Sequence, residues 1–175
     1  MIYQIRKKCW ESNSSSTHAL CISKAKPKKY PDRVNFVPGY YGWEFKIYRD
    51  IESRASYLYT AMLCLCNDIE KEKNRIYEIL GKNCIECDFQ NPKKDEWGLE
   101  DYGIDHVDEL SQWLYRVLAH ESNLLRWLFG DSVVVTGNDN SDEFTSYLYG
   151  KDCWHEAYWK IRDDLTDKKV FIKRN

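Results

Sequence analysis

Residues 132–136 read Ser-Val-Val-Val-Thr, and this is the most strand-like stretch of the chain. Three consecutive valines favour an extended backbone, because β-branched side chains pack well on the surface of a pleated sheet. We predict that this stretch forms a central strand of the sheet.

Shorter strands are predicted elsewhere from apolar alternation. Two of them flank a polar connection near the N-terminus and favour an antiparallel hairpin. The strand predicted at residues 85–89 is expected to return to the main sheet. Strands are predicted at 2–10, 19–23, 44–48 and 85–89, with edge strands at 158–162 and 168–175.

Helical periodicity dominates the middle of the chain. Apolar residues recur at helical spacing from Ser53, the predicted N-cap, to a stop at Gly81, which indicates a helical pair or one kinked helix. Residues 107–119 have the same spacing, and a shorter helix follows them and ends at Gly130. These elements predict one α+β domain over residues 1–175, with an N-terminal β-hairpin in a mixed sheet covered by about four helices.

The composition narrows the class of protein. The chain is 43% hydrophobic and 15% aromatic, which is typical of globular rather than disordered proteins. No apolar run approaches the roughly 18 residues that span a bilayer, and the N-terminus lacks the apolar stretch of a signal peptide. The seven cysteines, an odd number, are expected to be mostly reduced thiols. We therefore expect a cytoplasmic protein with no membrane partner, and its oligomeric state is left open.

The net charge of −2 conceals an asymmetry along the chain. Residues 1–33 carry eight Lys and Arg against two acidic residues, so this segment is +6 and the other 142 residues are −8. A basic face on an acidic body attracts phosphate-bearing partners. The plainer alternative is a pair of solvated charged strands. The basic residues predicted to contact phosphate are Arg6, Lys7, Lys8 and Lys24.

Residues 13–18 read Asn-Ser-Ser-Ser-Thr-His and join the first two predicted strands. Turn chemistry explains part of this cluster, because Asn and Ser side chains cap neighbouring backbone N–H groups. Consecutive hydroxyls beside several cations also suit a phosphate cradle, since neutral donors supply geometry and cations supply the field. His18 adds a group that can exchange a proton near neutral pH. The predicted cradle residues are Asn13, Ser14, Ser15, Ser16 and Thr17.

A second histidine stands at the start of an amphipathic helical segment. Asp105 or Asp108 is explained as the N-cap or as a first-turn acid of that segment, and either could orient a neutral His106. Two histidines, here His18 and His106, suffice for metal-free RNA cleavage as general base and general acid. Each such group typically contributes about 10²- to 10⁴-fold.

A third polar stretch follows the predicted central strand. Ligands often bind just beyond the carboxyl end of such a strand, so these residues are expected to line the same pocket. An ordinary turn explains them equally well. They are Asn138, Asp139 and Asn140.

Several classes of site lack support in the sequence. Cys84 and Cys87 have zinc-ligand spacing, but positions three apart on a strand point to opposite faces. Cys64 and Cys66 are two apart in a helical pattern and do not face each other. No P-loop, Gly-x-Gly-x-x-Gly or His-Glu-x-x-His motif occurs. We expect neither a metal nor a cofactor.

Five motifs occur in a characteristic order along the chain. They are Asn-Ser-Ser-Ser-Thr-His-Ala-Leu at 13–20, Gly-Tyr-Tyr-Gly-Trp-Glu at 39–44, Ala-Ser-Tyr-Leu-Tyr-Thr at 55–60, Ile-Asp-His at 104–106 and Thr-Gly-Asn-Asp-Asn at 136–140. In this respect the chain resembles a group of small proteins encoded by bacteriophages and mobile elements, which begin with a strand followed by Phe-Glu-Thr-Asn-Ser-Ser-Ser-Thr/Ser-His.

The resemblance implies a phage or prophage origin, a bacterial host cell and an anti-defence role. Type II anti-CRISPR proteins that truncate guide RNA are similar in size and origin. The partner implied is RNA or a host defence ribonucleoprotein of the Cas9 type.

Three functions remain open at this point. The first is action on RNA, with the histidine pair indicating a ribonuclease if the protein is an enzyme at all. The second is non-enzymatic inhibition of a host defence protein, for which exposed aromatic side chains would be suited. The third is binding of a nucleotide or another phosphate-bearing small molecule.

Overall fold

The computed structural model describes residues 16–23, 26–42, 44–94, 100–105, 107–138 and 168–172 of the chain. They form an α+β fold with four α-helices, which confirms the predicted class. The helices are α1 (Ile51–Leu65), α2 (Ile69–Lys82), α3 (Ser111–Ala119) and α4 (Glu121–Phe129). The strands are β1 (Ser16–Ser23), β2 (Arg33–Phe36), β3 (Tyr40–Tyr41), β4 (Lys46–Tyr48), β5 (Glu86–Phe89), β6 (Gly103–Ile104), β7 (Val133–Asn138) and β8 (Lys168–Ile172).

The main sheet has the strand order β4-β7-β1-β8, and every neighbouring pair in it is antiparallel. The valine stretch forms β7 in the interior of this sheet, as predicted, and all three of its valines are buried. Strand β8 lies at an edge, as predicted for the last segment. The predicted strands at residues 2–10 and 158–162 lie outside the described residues.

Parallel pairing occurs in two separate two-stranded sheets, β2 with β5 and β3 with β6. The prediction that residues 85–89 return to the main sheet is therefore wrong. The chain between β2 and β5 passes through α1 and α2, because a parallel pair needs a long crossover connection. Phe36 and Phe89 stack with ring centroids 4.3 Å apart, and both rings contact Tyr59 of α1. The β2–β5 pair is thereby packed onto the helices.

Helix α1 begins earlier than predicted. Its N-cap is Asp50, whose carboxylate accepts hydrogen bonds from the N–H and the hydroxyl of Ser53 at 2.7 and 2.8 Å. The prediction of Ser53 as the N-cap is wrong because the stronger acceptor lies three residues upstream. Helix α2 also runs past the predicted stop at Gly81, and Cys84 at φ 59° takes the left-handed position after it.

The entry to α3 differs from prediction as well. A 3-10 turn at Val107–Leu110 leads into α3, whose N-cap position is Leu110 and has no side-chain cap. Neither Asp105 nor Asp108 is therefore the N-cap of this helix, because the tighter turn separates them from its first residue. Gly130 follows the last residue of α4 and is its C-cap, as predicted.

The core lies between the helices and the main sheet and is rich in aromatic side chains. Arg54 of α1 is a buried cation in this core: it is 4% exposed and donates to the carbonyls of Gly130 and Ser132. This guanidinium joins α1 to the turn between α4 and β7. The largest fully buried side chains include Trp113, Trp127, Tyr57, Tyr59 and Phe36.

Candidate functional site

The pairing of β1 with β7 brings two of the predicted polar stretches side by side. They are far apart in the sequence, and only the antiparallel register places them at one end of the main sheet. We name this end, formed by residues 16–18 and 136–138, the sheet-end site. Ser16 lies opposite Asn138, Thr17 opposite Gly137 and His18 opposite Thr136.

His18 is the most deeply placed of the predicted site residues. It has no exposed surface, and its Nδ1 lies 2.9 Å from the hydroxyl oxygen of Tyr57, 39 residues away on α1. An imidazole nitrogen and a hydroxyl at this distance share a hydrogen bond, in which the tautomer decides the donor. Such burial favours a role for His18 in positioning β1 against α1. Its role as a catalytic acid or base stays a prediction.

A cluster of tyrosines extends this contact towards the surface. The ring of Tyr57 packs against Tyr41 at 4.8 Å, and Tyr41 packs against the half-buried Tyr48 at 5.3 Å. The Tyr41 hydroxyl lies 2.6 Å from Oγ of Ser56 and donates to it. Burial raises the pKa of Tyr41 to about 12 and raises the pKa of Tyr57 well above its ordinary value. Both hydroxyls are therefore neutral hydrogen-bonding groups at physiological pH.

Thr136 links the sheet-end site to an exposed strand. Its side chain is buried, and its hydroxyl donates to the carbonyl of Glu44 at 2.8 Å. On β4 its cross-strand neighbour is Lys46, whose ammonium lies 2.7 Å from the Glu44 carboxylate on the exposed surface. Exposed ion pairs are weak because water screens them, so an arriving anion can compete for Lys46. One row across three strands thus runs from an exposed cation through Thr136 to the buried His18.

Asp105 joins the same neighbourhood through Tyr41. Its backbone N–H donates to the carbonyl of Tyr41 at 2.9 Å. A Cβ placed on Gly42 would lie 3.1 Å from Oδ2 of Asp105, so a glycine allows the carboxylate to approach the backbone closely. The contacts then run from Asp105 through Tyr41 and Tyr57 to His18.

The remaining predicted site residues lie outside the described residues, and their roles stay predictions. Whether His106 shares a pocket with His18 is among them. They are Arg6, Lys7, Lys8, Asn13, Ser14, Ser15, Lys24, His106, Asp139 and Asn140.

Two residues that organise the site were not predicted from the sequence. Tyr57 belongs to a helical run in which only the aliphatic stripe was assigned to the core, and Lys46 belongs to a short strand without a motif. The available signal for Tyr57 was its hydroxyl, because a tyrosine on a buried helix face needs a hydrogen-bond partner. The sequence does not indicate that this partner is His18.

Other candidate sites are less developed in the described part of the chain. No group of three or more His, Cys, Asp or Glu side chains there could hold a metal ion. Cys84 is an exposed free thiol, and Cys87 is a half-buried one. A shallow depression on the outer side of α2 contains none of the predicted site residues. It is lined by Asp68, Glu70, Lys71, Asn74, Arg75 and Glu78.

Comparison with models of protein families, with curated proteins and with solved structures finds no match to the chain. Among the described residues, no helix is both long enough and apolar enough to cross a bilayer. A function for this chain is therefore inferred from its own residues and their geometry.

Proposed function

We propose that this protein binds RNA, or another ligand that carries a phosphate such as a nucleotide, at the sheet-end site. The observation that carries the proposal is the cross-strand pairing of residues 16–18 with residues 136–138. It gathers hydroxyl and amide residues from two distant segments at one place. With the role implied by the phage-protein resemblance, the RNA would be the guide of a Cas9-type ribonucleoprotein and the function anti-defence.

The chemistry of the site supports a phosphate rather than an apolar ligand. Phosphate oxygens are held by several neutral donors together with a nearby cation. Thr136 already donates to the Glu44 carbonyl, so we expect Ser16 and Asn138, which pair directly across β1 and β7, to supply the neutral donors. Lys46, the cross-strand neighbour of Thr136 on β4, supplies a positive charge. This division of roles makes the binding sensitive to residues of both β1 and β7 at this end of the sheet.

Binding is supported better than cleavage, because His18 has no exposed surface from which to reach a substrate. In the catalytic form of the proposal, His18 and His106 would act as the acid–base pair on guide RNA. This form is tested with His18→Ala and His106→Ala in a guide-RNA cleavage assay with and without the Cas9-type effector. Circular dichroism checks that each variant folds. Undiminished cleavage by both folded variants would exclude this catalytic assignment.

The binding proposal is tested with a double variant, Ser16→Ala/Asn138→Ala. Its matched control is Ser122→Ala/Asn74→Ala, since both of these residues are exposed and lie on helices α4 and α2. Hydrogen bonds to charged groups contribute about 1.5–3 kcal/mol each, so losing even one of the two donors should weaken binding by at least about 10-fold. Fluorescence anisotropy with labelled RNA measures the change. Equal affinity of the two double variants would remove the sheet-end site as the binding site.

An exposed aromatic side chain favours a second candidate function, inhibition by binding a host defence protein. The Tyr40 side chain is 70% exposed, and its ring lies 3.6 Å from where a Cβ on Gly103 would be. Tyrosines presented in this way are frequent hot spots of protein interfaces. Tyr40→Ala should then prevent co-purification with the effector and leave RNA affinity unchanged. Retained co-purification would argue against this function, and exposed Tyr115→Ala is the control.

A further inference from the structure

Three exposed lysines lie close together in the loop that follows β1. Lys26, Lys28 and Lys29 are all exposed, and we name residues 26–29 the lysine loop. In the part of the chain that the structure describes, none of the three takes part in an ion pair. Arg33, by contrast, is paired with Asp88. The loop therefore presents three positive charges that the fold does not neutralise.

The lysine loop is held against the body of the protein. Pro27 lies within it and Pro31 lies just after it, and each proline fixes its own φ angle near −65°. Tyr30 lies between the two prolines, and its ring packs edge-on against Phe129 of α4, with centroids 5.4 Å apart. Charges on a restrained loop lose less conformational entropy when a ligand binds than charges on a free tail. The loop is thus prepared to contact an extended anion.

The loop lies at the opposite end of β1 from the sheet-end site. Tyr30 contacts Phe129, and a Cβ on the next residue, Gly130, would lie 2.9 Å from Cβ of Ser23. Strand β1 has eight residues, so its two ends are separated by about 23 Å at about 3.3 Å per residue. A mononucleotide cannot contact both ends over that distance, whereas a polynucleotide can.

We propose that the lysine loop is a second contact surface, one that binds the phosphate backbone of RNA through charge alone. The choice of RNA rests on the proposed function, whereas the surface itself rests on the unpaired lysines. A membrane would be favoured if exposed apolar side chains stood among the lysines. The large exposed apolar side chains of the described residues lie elsewhere, and Tyr30 is engaged with Phe129. They are Val37, Tyr40, Ile47, Tyr77 and Tyr115.

The test compares two triple variants that each remove three positive charges. The loop variant is Lys26→Gln/Lys28→Gln/Lys29→Gln. The control variant is Lys82→Gln/Lys93→Gln/Lys94→Gln, whose three lysines are also exposed and have no ion pair among the described residues. The probes are a single-stranded RNA of about 12 nucleotides, within the usual range of single-strand site sizes, and adenosine monophosphate. Thermal melting verifies that both variants fold.

Each phosphate contact on a single strand adds about 0.7 to the slope of log affinity against log salt concentration. The loop variant, which lacks three cations, should therefore have a slope smaller by about 2. If the variant and the original protein bind RNA equally at about 1 M salt, the variant should bind roughly 100-fold more weakly at about 0.1 M salt. The control variant should keep the slope of the original protein. The affinity for adenosine monophosphate should be unchanged in the loop variant, because the nucleotide reaches only the sheet-end site.

Three results would overturn the proposal. Equal losses of RNA affinity in the two triple variants would show that only net charge matters. A parallel loss of mononucleotide affinity would place the effect of the lysines in the sheet-end site. Loss of binding to phosphatidylserine-containing vesicles with an unchanged RNA slope would identify a membrane surface instead. If the loop variant lowers the RNA slope while Ser16→Ala/Asn138→Ala has no effect, the lysine loop stands and the sheet-end site fails.

Discussion

Replacing Tyr57 by Phe removes one hydroxyl from the centre of the protein. That hydroxyl lies 2.9 Å from Nδ1 of His18, and neither residue has exposed surface, so bulk water cannot replace it. A buried polar atom that loses its partner costs about 1–3 kcal/mol. We therefore expect Tyr57→Phe to lower the free energy of unfolding by about 2 kcal/mol.

A double-mutant cycle with His18→Leu isolates the contribution of this pair. His18→Leu removes all contacts of the imidazole and leaves the Tyr57 hydroxyl without this partner. In the double variant both polar groups are gone, and replacing both partners by apolar groups can be nearly neutral. The two losses should therefore fall short of additivity by about 1–2 kcal/mol. Tyr115→Phe is the control, because that side chain is 74% exposed and its change should stay within about 0.5 kcal/mol.

Urea unfolding followed by tryptophan fluorescence measures these changes. Trp113 and Trp127 are buried, with ring centroids 5.6 and 6.5 Å from that of Tyr57, so their emission reports on this part of the core. With a urea dependence of about 2 kcal/mol per molar, the midpoint of Tyr57→Phe should fall by about 1 M. A midpoint equal to that of Tyr115→Phe, or a fully additive cycle, would refute a stabilising bond between His18 and Tyr57.

Three further predictions concern stability. Stability should decline from pH 10.0 to about 12, because folded Tyr41 keeps a proton that the unfolded chain releases. Tyr41→Phe should make this decline in the free energy of unfolding shallower by up to about 3 kcal/mol in urea titrations, and an unchanged decline would contradict it. Arg54→Met should cost about 3 kcal/mol in the same assay, because two backbone carbonyls between α4 and β7 lose a charged donor, and a loss under about 1 kcal/mol would show that this contact is dispensable. Gly130→Ala should lower the melting temperature by several degrees, because the added Cβ would lie 2.6 Å from a carbonyl oxygen of α4 and 2.9 Å from Cβ of Ser23. The control is Gly81→Ala, whose added Cβ meets open space, so this variant should be neutral or stabilising.

Local patterns predicted most of the elements. The valine stretch became an interior strand, and the apolar periodicity from residue 53 onwards became two helices. Boundaries and pairings were less predictable. Asp50 caps α1 instead of Ser53, because capping depends on which acceptor reaches the free N–H groups. Strand β5 pairs with β2 outside the main sheet, since a period of two indicates a strand but not its partner.

In the candidate site, too, the local polar stretches were predictable from the sequence and their pairing was not. The polar stretches at residues 13–18 and 138–140 were recognisable because each clusters hydroxyl or amide side chains next to a predicted strand. The pairing of residues 16–18 with residues 136–138 was not deducible, since it depends on the register between β1 and β7, which neither segment specifies alone. Tyr57 was not identified because its importance lies in a partner 39 residues away.

By itself, the sequence determined the α+β class, the valine strand, the helical runs and the uneven charge, because each follows from local composition and periodicity. Only the tertiary structure decided that His18 is buried against Tyr57, and that its motif lies beside residues 136–138. It also decided that Lys26, Lys28 and Lys29 stand unpaired at the far end of the same strand. The physical reason is that burial, register and ion pairing are relations between distant segments, and no stretch of the chain contains them alone.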